Sequence, residues 1–546
     1  MISKKLFPPI ILLLILSAQV YAHNTHASKR IDVQHYTFDI EISDLNDQIT
    51  VNADILFKVV QTPIDTIYLD LIGKNDEGFG MYVKEVKLND QPVNYIHQQE
   101  RLIILLSSPL DPAYTGTLNI SYEGIPEDGL IIAENENGER TFFGDNWPNR
   151  ARHWLSVVDH PEDKASCEFK ITAPDHYKVI ANGLLREESS LGRIHKEDKK
   201  FTHWVCTQPI PTKVMVFGAA RFAVMHDQQW DGIPIQHWVY ADSRKTGLDD
   251  FEPTANVLHF MSTTIGKYPY EKLANVESKT KYGGMENASN IFYNQRLVDG
   301  NKNIEALIAH EIAHQWFGNA VTEKSWEHLW LSEGFATYLS HMYIESTYGV
   351  DSLRGLLKKD KERVFAYYNK APNSAVVDPT ETNLFQYLNA NAYQKGAWVL
   401  HMLRERIGDR AFKKGMQAYY KTYCHANADT EDFKKVMERV SGQNLSSFFK
   451  QWLHTPGHPV VHGMWKYNGL GKKLKLELRQ VHSNRTQYQY PLEIGIYYMD
   501  DSEPEIVKVN LRKHDEKYEF KLKGRPQRIV IDPHEKLLVD SQLVSK

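Results

Sequence analysis

Residues 310–314 read His-Glu-Ile-Ala-His, and after an interval of eighteen residues Glu333 stands in the segment 329–334, Leu-Trp-Leu-Ser-Glu-Gly. On an α-helix, side chains four residues apart share a face, with Cβ atoms about 5 to 6 Å apart. His310 and His314 can therefore each offer one ring nitrogen to the same cation. Glu311 lies beside them and can take a proton from water bound to that cation. The pattern predicts a zinc site, with one Zn²⁺ per chain.

The residues around this pattern indicate a helix. Leu307, Ile308 and Ile312 recur at the spacing of a helical face that packs on a core. Polar side chains that interrupt such a face need partners, which favours a metal site over a chance match on an ordinary helix. Asn303 is suited to the N-cap and Gly318 to the end of the helix.

The chain of 546 residues is longer than one hydrophobic core usually supports, and it predicts several domains. Short alternating segments such as 36–42 and 116–122 dominate residues 23–222 and indicate an all-β domain. Helical signals dominate residues 223–456, which contain the zinc pattern, and predict a mostly α-helical catalytic domain. Alternation returns in residues 457–546 and indicates a small β-sandwich. The expected fold class is multidomain α+β.

Residues 1–22 have the pattern of a secretory signal peptide. Lys4 and Lys5 precede the apolar run 10–16, and the residues that end the segment suit a cleavage site. The run is short for a bilayer span, and no other stretch approaches about 20 apolar residues, so we expect no membrane span after signal removal. We expect an exported protein, periplasmic or secreted, whose mature chain begins near His23.

The overall charge and the cysteines narrow the function further. The formal net charge of -5 is mildly acidic and gives no indication of nucleic-acid binding. The three cysteines are Cys167, Cys206 and Cys424, and no pair has the spacing of metal ligands. Cys167 and Cys206 both lie in predicted strands, where an exported chain could hold them as one disulfide or as two buried thiols.

A second polar motif precedes the zinc pattern. Residues 282–287 read Tyr-Gly-Gly-Met-Glu-Asn and follow a predicted strand, 273–277. Paired glycines allow another chain segment to approach closely, and Glu286 beside them can meet a cationic group. The alternative interpretation is a loop that carries a solvated glutamate.

Four motifs in this order resemble the aminopeptidase N family of zinc metallopeptidases, which also contains the leukotriene hydrolase. They are Gly-Gly-Met-Glu-Asn at 283–287, His-Glu-Ile-Ala-His-Gln-Trp-Phe-Gly-Asn at 310–319, Trp-Leu-Ser-Glu-Gly-Phe-Ala at 330–336 and Ala-Tyr-Gln-Lys-Gly-Ala at 392–397. The resemblance implies a saddle-shaped N-terminal β domain, a thermolysin-like catalytic domain and a C-terminal β-sandwich. It also implies zinc-dependent removal of the N-terminal residue from peptides that carry a free N-terminus.

The resemblance assigns a role to each matching residue. His310, His314 and Glu333 match the zinc ligands, and a fourth position stays open for water. Glu311 matches the general base that activates this water. Tyr393 matches the tyrosine whose hydroxyl stabilises the tetrahedral oxyanion.

The resemblance also implies a substrate-binding segment. This segment comprises Gly283, Gly284, Met285, Glu286 and Asn287. Glu286 matches the anchor for the free α-amine of the substrate. Many family members place a glutamine, and often a second glutamate, at the amine pocket, whereas this chain has Asp145 and Asn146 in the corresponding segment. The sequence ends after the predicted sandwich, without the large helical domain of many relatives, and we expect a more open site.

Two other functional classes remain open at this point. A zinc endopeptidase would use the same metal ligands and leave Glu286 without a role in substrate binding. A catalytically inactive peptide-binding protein would retain the motifs without turnover. Within the aminopeptidase hypothesis, epoxide hydrolysis of the leukotriene type is a further activity that the family resemblance leaves open.

Overall fold

The computed structural model describes residues 30–194, 196–227, 229–482, 486–499 and 503–546. The predicted signal peptide, residues 1–22, lies outside the described residues. Along the described chain, an N-terminal β region is followed by a helical region and then by a C-terminal β region. This order confirms the predicted multidomain α+β fold class.

The N-terminal region is built from strands. They are β1 (Ile31–Glu41), β2 (Ile49–Val59), β3 (Ile64–Asp70), β4 (Gly80–Leu88), β5 (Gln91–Pro92), β6 (Asn94–Gln98), β7 (Arg101–Leu110), β8 (Thr115–Ile125), β9 (Leu130–Glu134), β10 (Arg140–Gly144), β11 (Lys164–Pro174), β12 (Lys178–Ala181), β13 (Leu184–Ile194), β14 (Glu197–Pro211) and β15 (Phe217–Ala220). Eight form a large sheet in the order β13-β14-β11-β1-β2-β8-β4-β5. Smaller sheets have the orders β12-β15-β10-β9 and β3-β7-β6.

Alternation along the strands places one face of the large sheet in the core. In β1, Tyr36, Phe38 and Ile40 are buried, as the two-residue period of a strand requires. Cys167 of β11 lies directly opposite Cys206 of β14, and both are buried free thiols. Of the two alternatives left open by the sequence, one disulfide or two buried thiols, this structure therefore has two buried thiols.

Two buried tyrosines of the large sheet hold the segment 154–158, which precedes β11. The hydroxyl of Tyr36 accepts the N–H of Val158 at 3.0 Å. The hydroxyl of Tyr122 donates to the carbonyl of Trp154 at 3.0 Å and accepts the N–H of Ser156 at 3.2 Å. The core of the β region thus fixes this segment through side chains, in addition to the antiparallel bridge between Val157 and Asp70 of β3.

The helical region also contains a mixed sheet. Its helices are α1 (Arg244–Phe251), α2 (Thr254–Thr264), α3 (Glu305–His314), α4 (Trp330–Tyr348), α5 (Val350–Lys370), α6 (Gly396–Ile407), α7 (Asp409–Tyr423), α8 (Thr430–Ser441) and α9 (Ser446–Leu453). Its strands are β16 (Phe222–His226), β17 (Ile235–Tyr240), β18 (Leu273–Ser278), β19 (Gly284–Met285), β20 (Asn290–Asn294), β21 (Val321–Glu323) and β22 (Ala426–Ala428). The order β16-β17-β18-β20-β19 leaves the short strand β19 at the sheet edge.

Helix α3 is shorter than the sequence signals predict. Asn303 is not its N-cap, because the helix begins at Glu305 without a side-chain cap. Asp250 accepts two backbone N–H bonds from residues 300 and 302, which hold the preceding loop in a non-helical path. The helix ends at His314, where the next two N–H groups bond to carbonyls three residues back, and Gly318 follows only later.

The C-terminal region contains two sheets. Its strands are β23 (Val460–Asn468), β24 (Lys473–Gln480), β25 (Tyr490–Tyr497), β26 (Glu505–Leu511), β27 (Asp515–Lys521), β28 (Arg528–Ile531) and β29 (Asp540–Ser545). The sheet orders are β27-β24-β23-β29 and β26-β25-β28. No helix within the described residues combines the length and apolar character needed to cross a bilayer.

Candidate active site

Helices α3 and α4 bring three ligand side chains together. Nε2 of His310 lies 3.0 Å from Nε2 of His314. Oε2 of Glu333, on α4, lies 3.4 Å from Nε2 of His310 and 3.2 Å from Nε2 of His314. Within the described part of the chain, these three residues form the one cluster of His, Cys, Asp or Glu side chains that could hold a metal ion.

The surroundings of this cluster fit a bound cation. Glu333 is 4% exposed, and its Oε2 atom makes no hydrogen bond of good geometry within the described residues. Nδ1 of His314 lies 3.2 Å from the carbonyl oxygen of Phe317 and 3.1 Å from the hydroxyl of Ser332. With its proton on Nδ1, His314 donates to that carbonyl and directs the lone pair of Nε2 toward the other ligands. Two nitrogens and one carboxylate oxygen are a donor set that suits zinc.

Three carboxylates, those of Glu286, Glu311 and Glu333, are buried together in the cavity. Burial raises the pKa of Glu311 well above its usual value, and the carboxylates of Glu286 and Glu333 raise it further against the effect of His314. Burial disfavours protonation of His314, but the carboxylates of Glu333 and Glu286 raise its pKa to about 9. Burial would raise the pKa of Glu333, yet attraction to His314 and the close approach of His310 lower it. The arrangement therefore draws positive charge into the space between the ligand atoms.

Edge strand β19 carries the Gly-Gly-Met-Glu-Asn motif against α3. A Cβ atom on Gly284 would lie 2.3 Å from Oε1 of Glu311, so only glycine permits this approach. The backbone carbonyl of Glu286 accepts hydrogen bonds from Nε2 of Gln315 at 2.9 Å and Nδ2 of Asn319 at 2.6 Å. Glu286 is 5% exposed, and its Oε1 atom has no hydrogen-bond partner among the described residues. The backbone of Glu286 is thus held in position, and its buried carboxylate has at least one oxygen available to meet a donor.

One cavity of about 60 Å³ joins these groups. The residues that line it are Trp147, Tyr282, Gly284, Met285, Glu286, His310, Glu311, His314, Glu333, Leu388 and Tyr393. The ring of Tyr393 lies parallel to that of His310, with 6.0 Å between the centroids. Burial raises the pKa of Tyr393 well above 10, and the nearby carboxylates of Glu333, Glu286 and Glu311 add to this, so its hydroxyl keeps its proton and can donate.

Two members of the predicted substrate-binding segment lie outside the cavity lining. Gly283 is exposed and precedes the edge strand, and Asn287 is fully buried behind it. Gly284, Met285 and Glu286 line the cavity as the motif suggests.

Asp145 and Asn146, which stand in the segment that corresponds to the amine pocket of many family members, do not line the cavity. Asp145 is fully buried and accepts hydrogen bonds from Arg150, from the hydroxyl of Thr280 and from the backbone N–H of Lys281. Asn146 donates to the carbonyls of residues 212 and 215 and accepts the indole N–H of residue 154. Both side chains use their hydrogen-bonding capacity to hold the protein together, because they join segments that are distant in sequence.

Aromatic residues that sequence reasoning did not select form one wall of the cavity. Trp147 packs edge to face on Tyr282, Trp326 and Phe385, with ring centroids 6.2, 5.7 and 6.2 Å apart. Leu388 also lines the cavity. Tyr282 adjoins the Gly-Gly-Met-Glu-Asn motif and Trp147 adjoins Asn146, in the segment that corresponds to the amine pocket, so position beside these motifs is a usable signal for both.

Comparison with known proteins identifies the class to which this fold and site belong. The sequence-family model of the peptidase M1 N-terminal domain matches residues 32–214, and that of the peptidase family M1 domain matches residues 250–452. Together these matches cover more than half of the chain. The chain belongs to the M1 family of peptidases, which confirms the resemblance drawn from the motifs.

Individual relatives are similar over most of this chain. A probable aminopeptidase 2 of Sulfurisphaera tokodaii is 25% identical over 460 residues, which are 80% of this chain and 56% of the relative. Aminopeptidase M1 of Arabidopsis thaliana is 25% identical over 71% of this chain and 45% of its own length. A leucyl aminopeptidase of Saccharolobus solfataricus is 25% identical over 76% of this chain and 52% of its own length. The chain spans about half the length of the curated relatives it matches.

Proposed function

We propose that this chain is a zinc-dependent aminopeptidase that removes the N-terminal residue from peptides. The observation that carries the proposal is the position of the Glu286 carboxylate, which is buried, has one oxygen without a partner among the described residues and shares a cavity with His310, His314 and Glu333. Membership in the M1 family and the similarity to aminopeptidases support the proposal.

His310, His314 and Glu333 would hold the zinc ion. When bound, zinc supplies Lewis acidity at the scissile carbonyl. The side chains around it perform the proton transfers and the orientation of the substrate. Glu311 accepts a proton from the attacking water at a carboxylate oxygen and delivers it to the leaving nitrogen. Tyr393 donates its hydroxyl hydrogen to the developing oxyanion.

Glu286 makes the activity that of an exopeptidase. A substrate α-ammonium held by this buried carboxylate forms a charge-assisted hydrogen bond. Because Glu286 and Glu311 line the same cavity of about 60 Å³, the group bound by Glu286 must belong to the residue whose carbonyl is attacked. Trp147 and Tyr282 form an aromatic wall that limits the entry of water and strengthens the electrostatic contacts inside.

The test uses a ten-residue peptide and its N-acetylated twin, followed by mass spectrometry over a time course with and without a zinc chelator. We expect stepwise loss of N-terminal residues from the free peptide, no cleavage of the acetylated twin, and no cleavage of either with chelator. Internal fragments from both peptides would establish an endopeptidase instead. No cleavage of either, with zinc bound, would indicate a peptide-binding protein without turnover.

We also propose that the protein is exported to the periplasm or secreted. The proposal is supported by Lys4, Lys5 and the apolar run 10–16 at the N-terminus. N-terminal sequencing of protein purified from outside the cytoplasm should begin near His23. An intact Met1 on the purified protein would contradict export by signal cleavage.

A further inference from the structure

The backbone around Tyr393 departs from an ordinary helix. Residues Asn391–Lys395 form a π turn at the start of α6. In this turn the N–H of Lys395 bonds to the carbonyl of Ala390 at 2.8 Å, and the N–H of Gly396 bonds to that of Asn391. Such turns are rare, and they persist where the surroundings hold them in place. The turn sets the direction in which Tyr393 leaves the helix, so whatever holds it also sets the position of the hydroxyl.

Side chains at both ends tie the π turn to other parts of the protein. Nδ2 of Asn391 donates to the carbonyls of Ser374 and Ala375 at 3.1 and 3.2 Å. Nζ of Lys395 donates to the carbonyls of Gly457 at 2.8 Å and Thr455 at 3.5 Å. Residues 455 and 457 lie in the short connection between α9 and β23, where the helical region passes into the C-terminal β region.

The environment of Lys395 makes these contacts important. Lys395 is 1% exposed, and burial lowers its pKa to about 7. No Asp or Glu within the described residues contributes to this shift or forms an ion pair with Lys395. A buried ammonium without a carboxylate depends on its hydrogen bonds to carbonyl dipoles, so the lysine and the connection 455–457 hold each other in place.

A close backbone contact joins the same turn to the metal centre. A Cβ atom on Gly396 would lie 3.0 Å from Cα of Gly334, the residue that follows the ligand Glu333. The π turn therefore lies directly against α4 on one side and is tied to the 455–457 connection on the other.

We propose that Lys395 is a positioning residue for Tyr393, because its bonds to residues 455 and 457 hold the π turn that places the tyrosine hydroxyl over the metal centre. The part of this inference that is tested by kcat rests on the proposed aminopeptidase function. It assigns the connection into the C-terminal β region a role in the chemistry of the helical region. An ordinary structural lysine would support stability alone and would not act through Tyr393.

A double-mutant cycle separates the two roles. We expect Lys395→Met to lower kcat for leucyl p-nitroanilide about ten- to a hundredfold, the cost of a misplaced catalytic group, with KM changed less than about twofold. In the Tyr393→Phe background, Lys395→Met should cause no further loss, because the hydroxyl it positions is gone. Equal losses of kcat in both backgrounds, or a change in KM alone, would overturn the proposal. Lys395→Gln, which keeps a donor, provides a second variant if the methionine variant does not fold.

Lys164→Met is the matched control. Lys164 is also a lysine whose pKa burial lowers to about 7, and its ammonium donates to the carbonyls of Ala320 and Ala426 at 2.8 and 3.1 Å. We expect Lys164→Met to lower the thermal midpoint without the kcat loss specific to Tyr393. A comparable loss of kcat that also vanishes in the Tyr393→Phe background would overturn the assignment to Lys395.

Amide hydrogen exchange gives a readout that does not depend on activity. Exchange in residues 389–397 should become faster in Lys395→Met than in Lys164→Met. Unchanged exchange there would overturn the inference whatever the activity of the enzyme. If the wild-type chain cleaves no aminoacyl substrate, the proposed function fails, and the exchange data still decide whether Lys395 holds the turn.

Discussion

Oε2 of Glu333 lies 3.2 Å from Nε2 of His314, although eighteen residues separate the two side chains along the chain. Both are buried, and neither charge would be stable there alone. The packing of α3 on α4 creates the contact, and the negative charge of Glu333 raises the pKa of His314 against the effect of burial. A metal cation between the ligand atoms satisfies the same demand for positive charge.

Substitution of the metal ligand His310 and substitution of the general base Glu311, both on α3, should have different effects on zinc binding. His310→Ala should lose zinc because one of three ligands is gone, whereas Glu311→Gln should keep it because Glu311 is not in the ligand cluster. Both variants should lose peptide cleavage. Glu311→Gln keeps the size of the side chain, but its amide cannot accept the proton from water. The measurements are the zinc content per chain, by elemental mass spectrometry, and the peptidase activity of each purified variant. An active Glu311→Gln enzyme would remove Glu311 from the mechanism.

Tyr393→Phe should lower kcat roughly 10²- to 10³-fold with little change in KM, because the hydroxyl acts chiefly in the transition state. Tyr387→Phe is the matched control, since the hydroxyl of Tyr387 donates to the carbonyl of Asp378 at 2.7 Å and does not line the cavity. Steady-state kinetics on one aminoacyl reporter compare the two variants. A rise in KM alone for Tyr393→Phe would instead indicate a role in substrate binding.

Glu286→Ala should lower kcat/KM for peptides with a free N-terminus by about ten- to a hundredfold, the value of one charge-assisted hydrogen bond. The variant should retain zinc, because Glu286 is not one of the ligands. Competition assays with a free and an N-acetylated peptide measure the preference directly. If the variant discriminates between them as strongly as the wild type, another group must recognise the amine.

Asp145→Ala should destabilise the fold by about 1.5 to 3 kcal/mol, because Arg150 loses a buried, charge-assisted hydrogen bond and keeps its ion pair with Asp128. The side chains of Asp145 and Arg150 are 0% and 4% exposed, and Arg150 also donates to the carbonyl of Trp147. Urea denaturation measures the loss, and Asp47→Ala, at an ion pair whose carboxylate is 52% exposed, should cost at most about 1 kcal/mol. Equal effects of the two variants would contradict a structural role for Asp145.

His401 should make the fold sensitive to mild acid. Its Nε2 lies 2.9 Å from the carbonyl oxygen of Glu535 and its Nδ1 lies 3.0 Å from the hydroxyl of Tyr338, and burial lowers its pKa to about 4. Between pH 6.5 and 4 the unfolded state binds a proton that the folded state does not, so the free energy of unfolding falls as pH falls. This group contributes up to about 3 kcal/mol of that loss.

The check is the free energy of unfolding measured at pH 7, 5.5 and 4.5 for the wild type and for His401→Gln. Other buried histidines titrate equally in both proteins, so the difference isolates His401. We expect a smaller loss with falling pH in the variant. Identical pH dependence in the two proteins would show that His401 does not control the acid response.

Local patterns in the sequence determined much of this protein. The four-residue spacing of His310 and His314 specifies one helix face, because helical geometry leaves no other arrangement for two side chains so close in sequence. Two-residue alternation likewise predicts strands such as β1, and the motif order predicts the family. The start of α3 was not predictable, since Asp250, far away in the chain, fixes the loop before Glu305.

Tertiary structure alone decided which polar and aromatic side chains face the cavity. Asp145 and Asn146 carry oxygen atoms that could bind an amine, yet their side chains form hydrogen bonds with other segments of the protein and stabilise the fold. Trp147 is the next residue in the chain, and it lines the cavity because Tyr282, Trp326 and Phe385 pack around it. Residue type and spacing limit the chemistry a side chain can perform, but packing decides its neighbours, and burial then sets the charge it carries.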